Sequence, residues 1–450
     1  MTQDYRAKTL GDAYNISNFI PLQDEDLEKY YYDLSEVRKT EAIDSINFIL
    51  SVAEPETTQT ILFAGHRGGG KTTELKRLEK KLEDKYFIIY FMADEELDTN
   101  DARYTDLYLV IIKQVEEHLR KKNITLDKRL LQGFEDWFKE ITKENEETVE
   151  RSVSVEAGGQ LGSQTPIPFL VKLWVKLLAQ IKGSAKNKKI IRETLEKDIS
   201  RLKADINALL RDGTKKLREK YPEYKGILII VDNLDRVPPD VGKHLFFEYA
   251  AQLQELDCNI IYTVPISVAY STENVGNTFD QNPHTLPMVN IYQYDSQETD
   301  LPHNNRHLKA MAEIIAKRVN TDILFESEQD LLEIAKASGG HVRQLMRIMR
   351  TACMTAGSRG HSKINNDDVD YAIKQEQFNF ERVIPHQHYE ILAKVCQSKN
   401  LEKNETSQAI LYNTSVLEYN GTNRWNYVNP VIKRSDLFKE ALNRSQESGN

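Results

Sequence analysis

Residues 60–82 read TILFAGHRGGGKTTELKRLEKKL, a strand, a glycine turn and a helix in immediate succession. Thr60–Ala64 is a short apolar run of the length of a strand buried on both faces. Gly65–Thr72, GHRGGGKT, matches the whole pattern G-x-x-x-x-G-K-[ST], and an amphipathic helical pattern runs from Thr72 to Leu82. The glycines let the backbone turn its amide N–H groups inward at a helix N-terminus, where the helix dipole adds positive potential, so the turn suits phosphate. Gly65, His66, Arg67, Gly68, Gly69, Gly70, Lys71, Thr72 and Thr73 are therefore expected around a nucleotide. Lys71 would reach the β and γ phosphates, the Thr72 hydroxyl would ligate Mg2+, and Thr73 would approach the α phosphate. ATP and Mg2+ are the expected ligands.

Similar apolar runs recur at Phe87–Met92, Gly226–Val231 and Asn259–Val264, with Met288–Tyr292 as a fifth. Helical patterns at Thr72–Leu82, Asp106–Leu119 and Gly242–Leu256 lie between them, the alternation of a parallel α/β sheet. At 450 residues the chain is too long for one core. The expected organisation is an N-terminal extension over 1–55, an ATPase core over 56–300 interrupted by a helical arm at 126–225, a helical lid over 303–378, and a small block over 385–450. In the arm, Leu195, Ile199, Leu202, Ile206 and Leu209 form one apolar seam, for packing on the core or for a second copy. In the last block two helices precede β-like runs at Ser415–Tyr419 and Arg424–Asn429 around an Asn420-Gly421 turn, the order of a winged helix.

A metal-bound triphosphate also needs a carboxylate at the end of a neighbouring buried strand, and GILIIVDNLDR supplies Asp232 for Mg2+. Asn233 follows, a residue that can orient water but not take its proton, which leaves Asp235 as the nearest candidate base. Thr263, in the run Asn259–Val264, is a candidate for sensing the γ phosphate, with an ordinary strand residue as the alternative. Arg343, just inside a helix opened by Gly339-Gly340-His341, is placed to point back at the phosphates. The candidate catalytic set is thus Lys71, Asp232, Asn233, Asp235, Thr263 and Arg343, with Arg236 a weaker candidate for a contact between subunits.

On these residues the chain resembles the AAA+ and STAND branches of P-loop (ASCE) ATPases, especially origin-recognition initiators and prokaryotic signalling NTPases. GHRGGGKT resembles Walker A, ILIIVDNLD Walker B, Thr263 sensor 1, GGHVR the sensor 2 helix, and Pro385–Leu442 the appended winged helix. DNLDR also resembles the DDLDR form of KAP-type NTPases. The resemblance implies a sheet in 5-1-4-3-2 order, ATP held between core and lid, and nucleotide-dependent oligomerisation. Asn233, where many such ATPases carry Glu, implies slow or partner-stimulated hydrolysis.

The net charge is −9, which gives no chain-wide footprint for nucleic acid or anionic lipid. Locally, residues 169–225 carry +9, and 169–181 combine an apolar face with Lys172 and Lys176, compatible with peripheral contact to a membrane, nucleic acid or protein. No stretch is a membrane span or secretory signal, and three scattered cysteines fit a reducing, cytoplasmic setting. The leading expectation is an ATP-binding switch that hydrolyses slowly, forms a homo-oligomer and controls a protein effector, a type that serves in bacterial defence. The alternative is a DNA-binding loader or regulator of replication or transposition. Against it, the candidate recognition segment NETSQAILY has no Lys or Arg for phosphate or guanine edges.

Overall fold

The computed structural model describes residues 4–142, 185–279 and 281–447. The amphipathic segment 169–181 lies outside them, as does part of the expected arm. Five strands, β1 (Thr60–Gly65), β2 (Phe87–Met92), β3 (Ile227–Asp232), β4 (Asn259–Pro265) and β5 (His284–Leu286), form one sheet in the order β2-β3-β4-β1-β5. All pairs are parallel. This is the expected 5-1-4-3-2 order viewed from the other edge, and it is the sheet of a P-loop NTPase.

The strands are apolar throughout because helices cover both faces. Ile61, Phe63, Leu228 and Ile230 face helices Ala42–Val52 and Lys71–Leu82, while Leu62, Ile229, Val231 and Ile260 face helices Tyr104–Lys121 and Ile199–Lys220. Side chains alternate across a strand, so each face receives every second residue. The expected helix Gly242–Leu256 is broken into Pro239–Lys243, a π turn at His244–Glu248, and Ala250–Gln254. The Tyr249 ring stacks on Tyr104 at 4.5 Å beside that turn.

One strand expectation is corrected. Met288–Tyr292 is not the fifth strand; His284–Leu286 is. The apolar pattern of Met288–Tyr292 serves a different neighbour. Met288 N donates to Glu418 O at 3.0 Å and bridges Tyr419 in the C-terminal hairpin β6 (Val416–Asn420) and β7 (Arg424–Val428). Tyr419 and Trp425 stack at 4.7 Å inside this junction, so the hairpin aromatics form a packed face.

The seam of the arm is also internal. Leu195, Leu202, Ile206 and Leu209 are fully buried in the core that contains helix Tyr104–Lys121, with Ile199 partly buried at the break capped by Asp198. Several of the arm's described cations pair with carboxylates outside it: the buried Arg192 with Asp101 and Asp106, and the more exposed Lys203 with Glu255, Arg211 with Asp257 and Arg218 with Glu56. At the other end of the chain, helix Leu10–Ile16 packs on helix Val342–Ser358, and Ala7 exchanges backbone hydrogen bonds with Arg318 and Asn320 at 2.9 Å each. Residues near the N-terminus therefore strap the helical region 305–383. Among the described residues no helix is long and apolar enough to cross a membrane.

Ile206→Ala is expected to cost about 2–5 kcal/mol of stability, because the cavity it leaves is walled by the sheet's own helices. Denaturant melts should register the loss, and light scattering should give an unchanged particle mass. A changed mass with an unchanged melt would assign the seam to a second copy.

Candidate nucleotide-binding site

Gly65–Gly70 joins β1 to helix Lys71–Leu82, and each carbonyl from Gly65 through Gly69 is engaged by a donor. Lys71 Nζ donates to Gly65 O at 2.8 Å and His66 O at 2.9 Å. His341 Nε2 donates to Arg67 O at 2.9 Å, and Arg343 N to Gly68 O at 3.2 Å. Arg38, almost fully buried, donates to Gly69 O at 2.7 Å and Pro287 O at 3.1 Å. On the loop's other flank, His66 Nε2 accepts from Glu418 N in β6 at 2.9 Å. No loop carbonyl is left to repel an anion. Gly68 must be glycine here, since its φ is +82° and a Cβ would lie 2.7 Å from His341 Nε2.

The carboxylates sit opposite. Asp232 ends β3, is fully buried, and accepts from Tyr90 OH at 2.6 Å and Asn233 N at 2.7 Å. Burial and the negative Asp235 raise its pKa, while the hydrogen bonds from Tyr90, Thr72 and Asn233 pull it down. The Thr72 hydroxyl and Asp232 are thus in contact, two hard oxygen donors of the kind Mg2+ takes. Asp235 Oδ2 forms a buried ion pair with Lys71 at 2.8 Å.

Asn233 and Thr263 occupy different roles from those expected. Asn233 adopts φ +60°, a left-handed conformation that Asn tolerates, and starts the turn Leu234–Arg236. It lines the cleft, but its amide donates to Asp94 at 2.8 Å, and Asp94 also pairs with Arg236. The Thr263 hydroxyl donates to Val231 O at 3.2 Å and accepts from Leu234 N at 3.0 Å and Asp235 N at 3.4 Å. These bonds fit the alternative reading of Thr263, an ordinary strand residue. Its donor is spent on the backbone of β3, so Thr263 positions the turn that carries Asp235.

Arg343 does reach the site. With Arg67, Arg236, Lys71, Thr72, Thr73, Asn233 and Asp235 it lines a cleft of about 670 Å³ including its open mouth. Burial, then Arg67 and Arg236, lowers the Arg343 pKa to about 10, while Asp235 opposes the shift. Asn18–Leu22 and Arg318 close the remaining wall. Sequence reasoning missed Arg38, Tyr90, Asp94 and the segment 18–22. None belongs to a local pattern; Arg38 meets the phosphate loop, Tyr90 meets Asp232, Asp94 meets Asn233 and Arg236, and residues 18–22 line the cleft, all only through folding.

Residues 40–249 match the KAP family P-loop domain. The match spans the glycine turn, Asp232 and DNLDR. No curated protein matches the chain. Among solved structures it is similar to Cdc6p from Pyrobaculum aerophilum, at 11% identity and TM-score 0.39, with 95% of this chain and 100% of that chain covered. It is also similar to the Aeropyrum pernix ORC2 protein in its ADPNP-ADP complexes, at 14% and 0.40, with 97% and 98% covered. The Thermotoga maritima RuvB Holliday junction branch migration motor follows at 10% and 0.37, with 90% and 95% covered.

Two predictions follow from the geometry. His66 and His341 are held near pKa 3, each chiefly by burial, so the fold needs both neutral. Because these values lie below the unfolded value of about 6.5, their stabilisation is complete above that pH and lost as pH falls, by up to ~1.4 kcal/mol per unit for each ring. Thermal melts from pH 6.5 down to about 5 should fall less steeply in His66→Gln, which keeps an acceptor for Glu418 N without a titrating group. Asn233→Glu should not create a base. It places a carboxylate beside Asp94 in a left-handed turn, costing about 1–3 kcal/mol in chemical denaturation and leaving phosphate release no faster.

Proposed function

We propose that this chain is an ATP-binding molecular switch that hydrolyses slowly, in the manner of AAA+ and STAND ATPases. One observation carries the reading: the loop that would hold the phosphates is bonded directly to the lid helix, through His341 and Arg343, and to the C-terminal hairpin, through His66. A triphosphate entering the loop alters the charge balance around Lys71, Asp235 and Arg343 together. Lys71 exchanges Asp235 for phosphate, Arg343 gains an anionic partner, and the backbone that both elements grip adjusts.

Thr72 and Asp232 are the residues that would hold Mg2+, which neutralises phosphate charge when bound. Asp235, released from Lys71, is the carboxylate placed to orient a water, and Asn233 stays committed to Asp94. Slow turnover suits this arrangement. The output is an altered posture of the winged-helix-like block 385–447, read by a protein effector or a second copy of the chain. Bacterial defence is the setting that the family resemblance favours. DNA loading has less support, since helix Glu405–Tyr412, without Lys or Arg, packs on Ile266–Ala269, and Tyr412 donates to Arg236 O at 3.0 Å.

Calorimetry with ATP and Mg2+ tests the site. Lys71→Ala should abolish tight binding, and Asp232→Ala should retain binding but lose Mg2+-dependent phosphate release; unchanged affinity in Lys71→Ala would overturn the assignment. Amide exchange tests the wiring, with ATP expected to change protection across 416–428 in the native chain and not in Lys71→Ala.

A further inference from the structure

Beside the nucleotide cleft lies a second one, of about 870 Å³ including its open mouth, between the phosphate loop, helix Val342–Ser358, the end of helix Asn366–Val383 and residues 412–414. Arg67 and Arg343 line both clefts and form the wall between them; Arg347, Asn379 and Asn413 line the second alone. Among the described residues no carboxylate lines it. Arg347 is paired from beneath by the buried Glu376 at 3.0 Å, whereas Arg67 and Arg343 have no carboxylate partner within 4.0 Å among the described residues. Arg67 and Arg343 thus border both clefts without a carboxylate partner, and Arg347 adds a third guanidinium group to the second cleft. Phe380 and the exposed Val383 supply an apolar side.

We infer that this second cleft binds a phosphate-bearing small molecule, distinct from the nucleotide held by Gly65–Thr73. Guanidinium groups match phosphate oxygens bidentately, and amide side chains add neutral donors. A short cleft with one apolar side favours a compact ligand over an extended polymer. The site is additional to the proposed ATP site.

The test uses the full chain carrying Lys71→Ala, which disables the first phosphate cradle, and inorganic pyrophosphate as the probe. Calorimetry should show saturable binding that weakens about tenfold or more in Arg347→Ala and in Val383→Glu, each made in that background. Val383 is exposed and makes no side-chain hydrogen bond, so its variant keeps the test valid if loss of the Arg347–Glu376 pair unfolds the chain. Absence of pyrophosphate binding, or binding indifferent to the folded variants, would overturn the inference. ATP binding by the chain with Lys71 intact, measured alongside, reports separately on the first site.

Discussion

The structure depends on holding six residues of glycine-rich backbone in one shape. Glycine costs more backbone entropy to order than any other residue, so a loop containing Gly65, Gly68, Gly69 and Gly70 does not hold itself. Its shape comes from donors on four elements: Lys71 in the following helix, Arg38 ahead of the sheet, His341 and Arg343 at the lid, and a hairpin amide through His66. A ligand-binding feature near the start of the chain is thereby built by residues almost as far as position 418. The same bonds join the loop directly to the lid helix and the C-terminal hairpin.

Rigidity at this point is bought with buried polar groups that the fold alone does not need. Burial raises the pKa of Asp232, Lys71 and Asp235 neutralise one another out of water, and two imidazoles are kept uncharged. Such groups weaken the protein relative to apolar replacements of similar shape. Their arrangement makes sense as preorganisation for a polyanion and a hard cation. The excess of guanidinium groups around Arg343 has the same meaning.

Charge outside the site is balanced differently. The inserted arm is rich in Lys and Arg, which in isolation reads as a nucleic-acid or membrane surface. Arg192, Lys203, Arg211 and Arg218 instead meet carboxylates outside the arm, the Arg192–Asp106 pair being buried. The exposed pairs among them contribute little stability.

The strands, the phosphate turn and Asp232 could be anticipated because each is local: apolar runs of strand length, glycine where the backbone must curl, an acid at a buried strand end; the order of the strands came from the family resemblance. What Asn233, Thr263 and Met288–Tyr292 do could not. A strand pattern states that a segment wants a pleated neighbour without saying which, and Met288 found it in the hairpin. A polar residue at a strand end needs a partner without specifying phosphate or backbone, and Thr263 found backbone. Chain order determined the chemistry available to this protein; only tertiary packing decided which donors and acceptors, hundreds of residues apart, came within 3 Å of one another, because hydrogen bonding is short-ranged and the sequence encodes no distances.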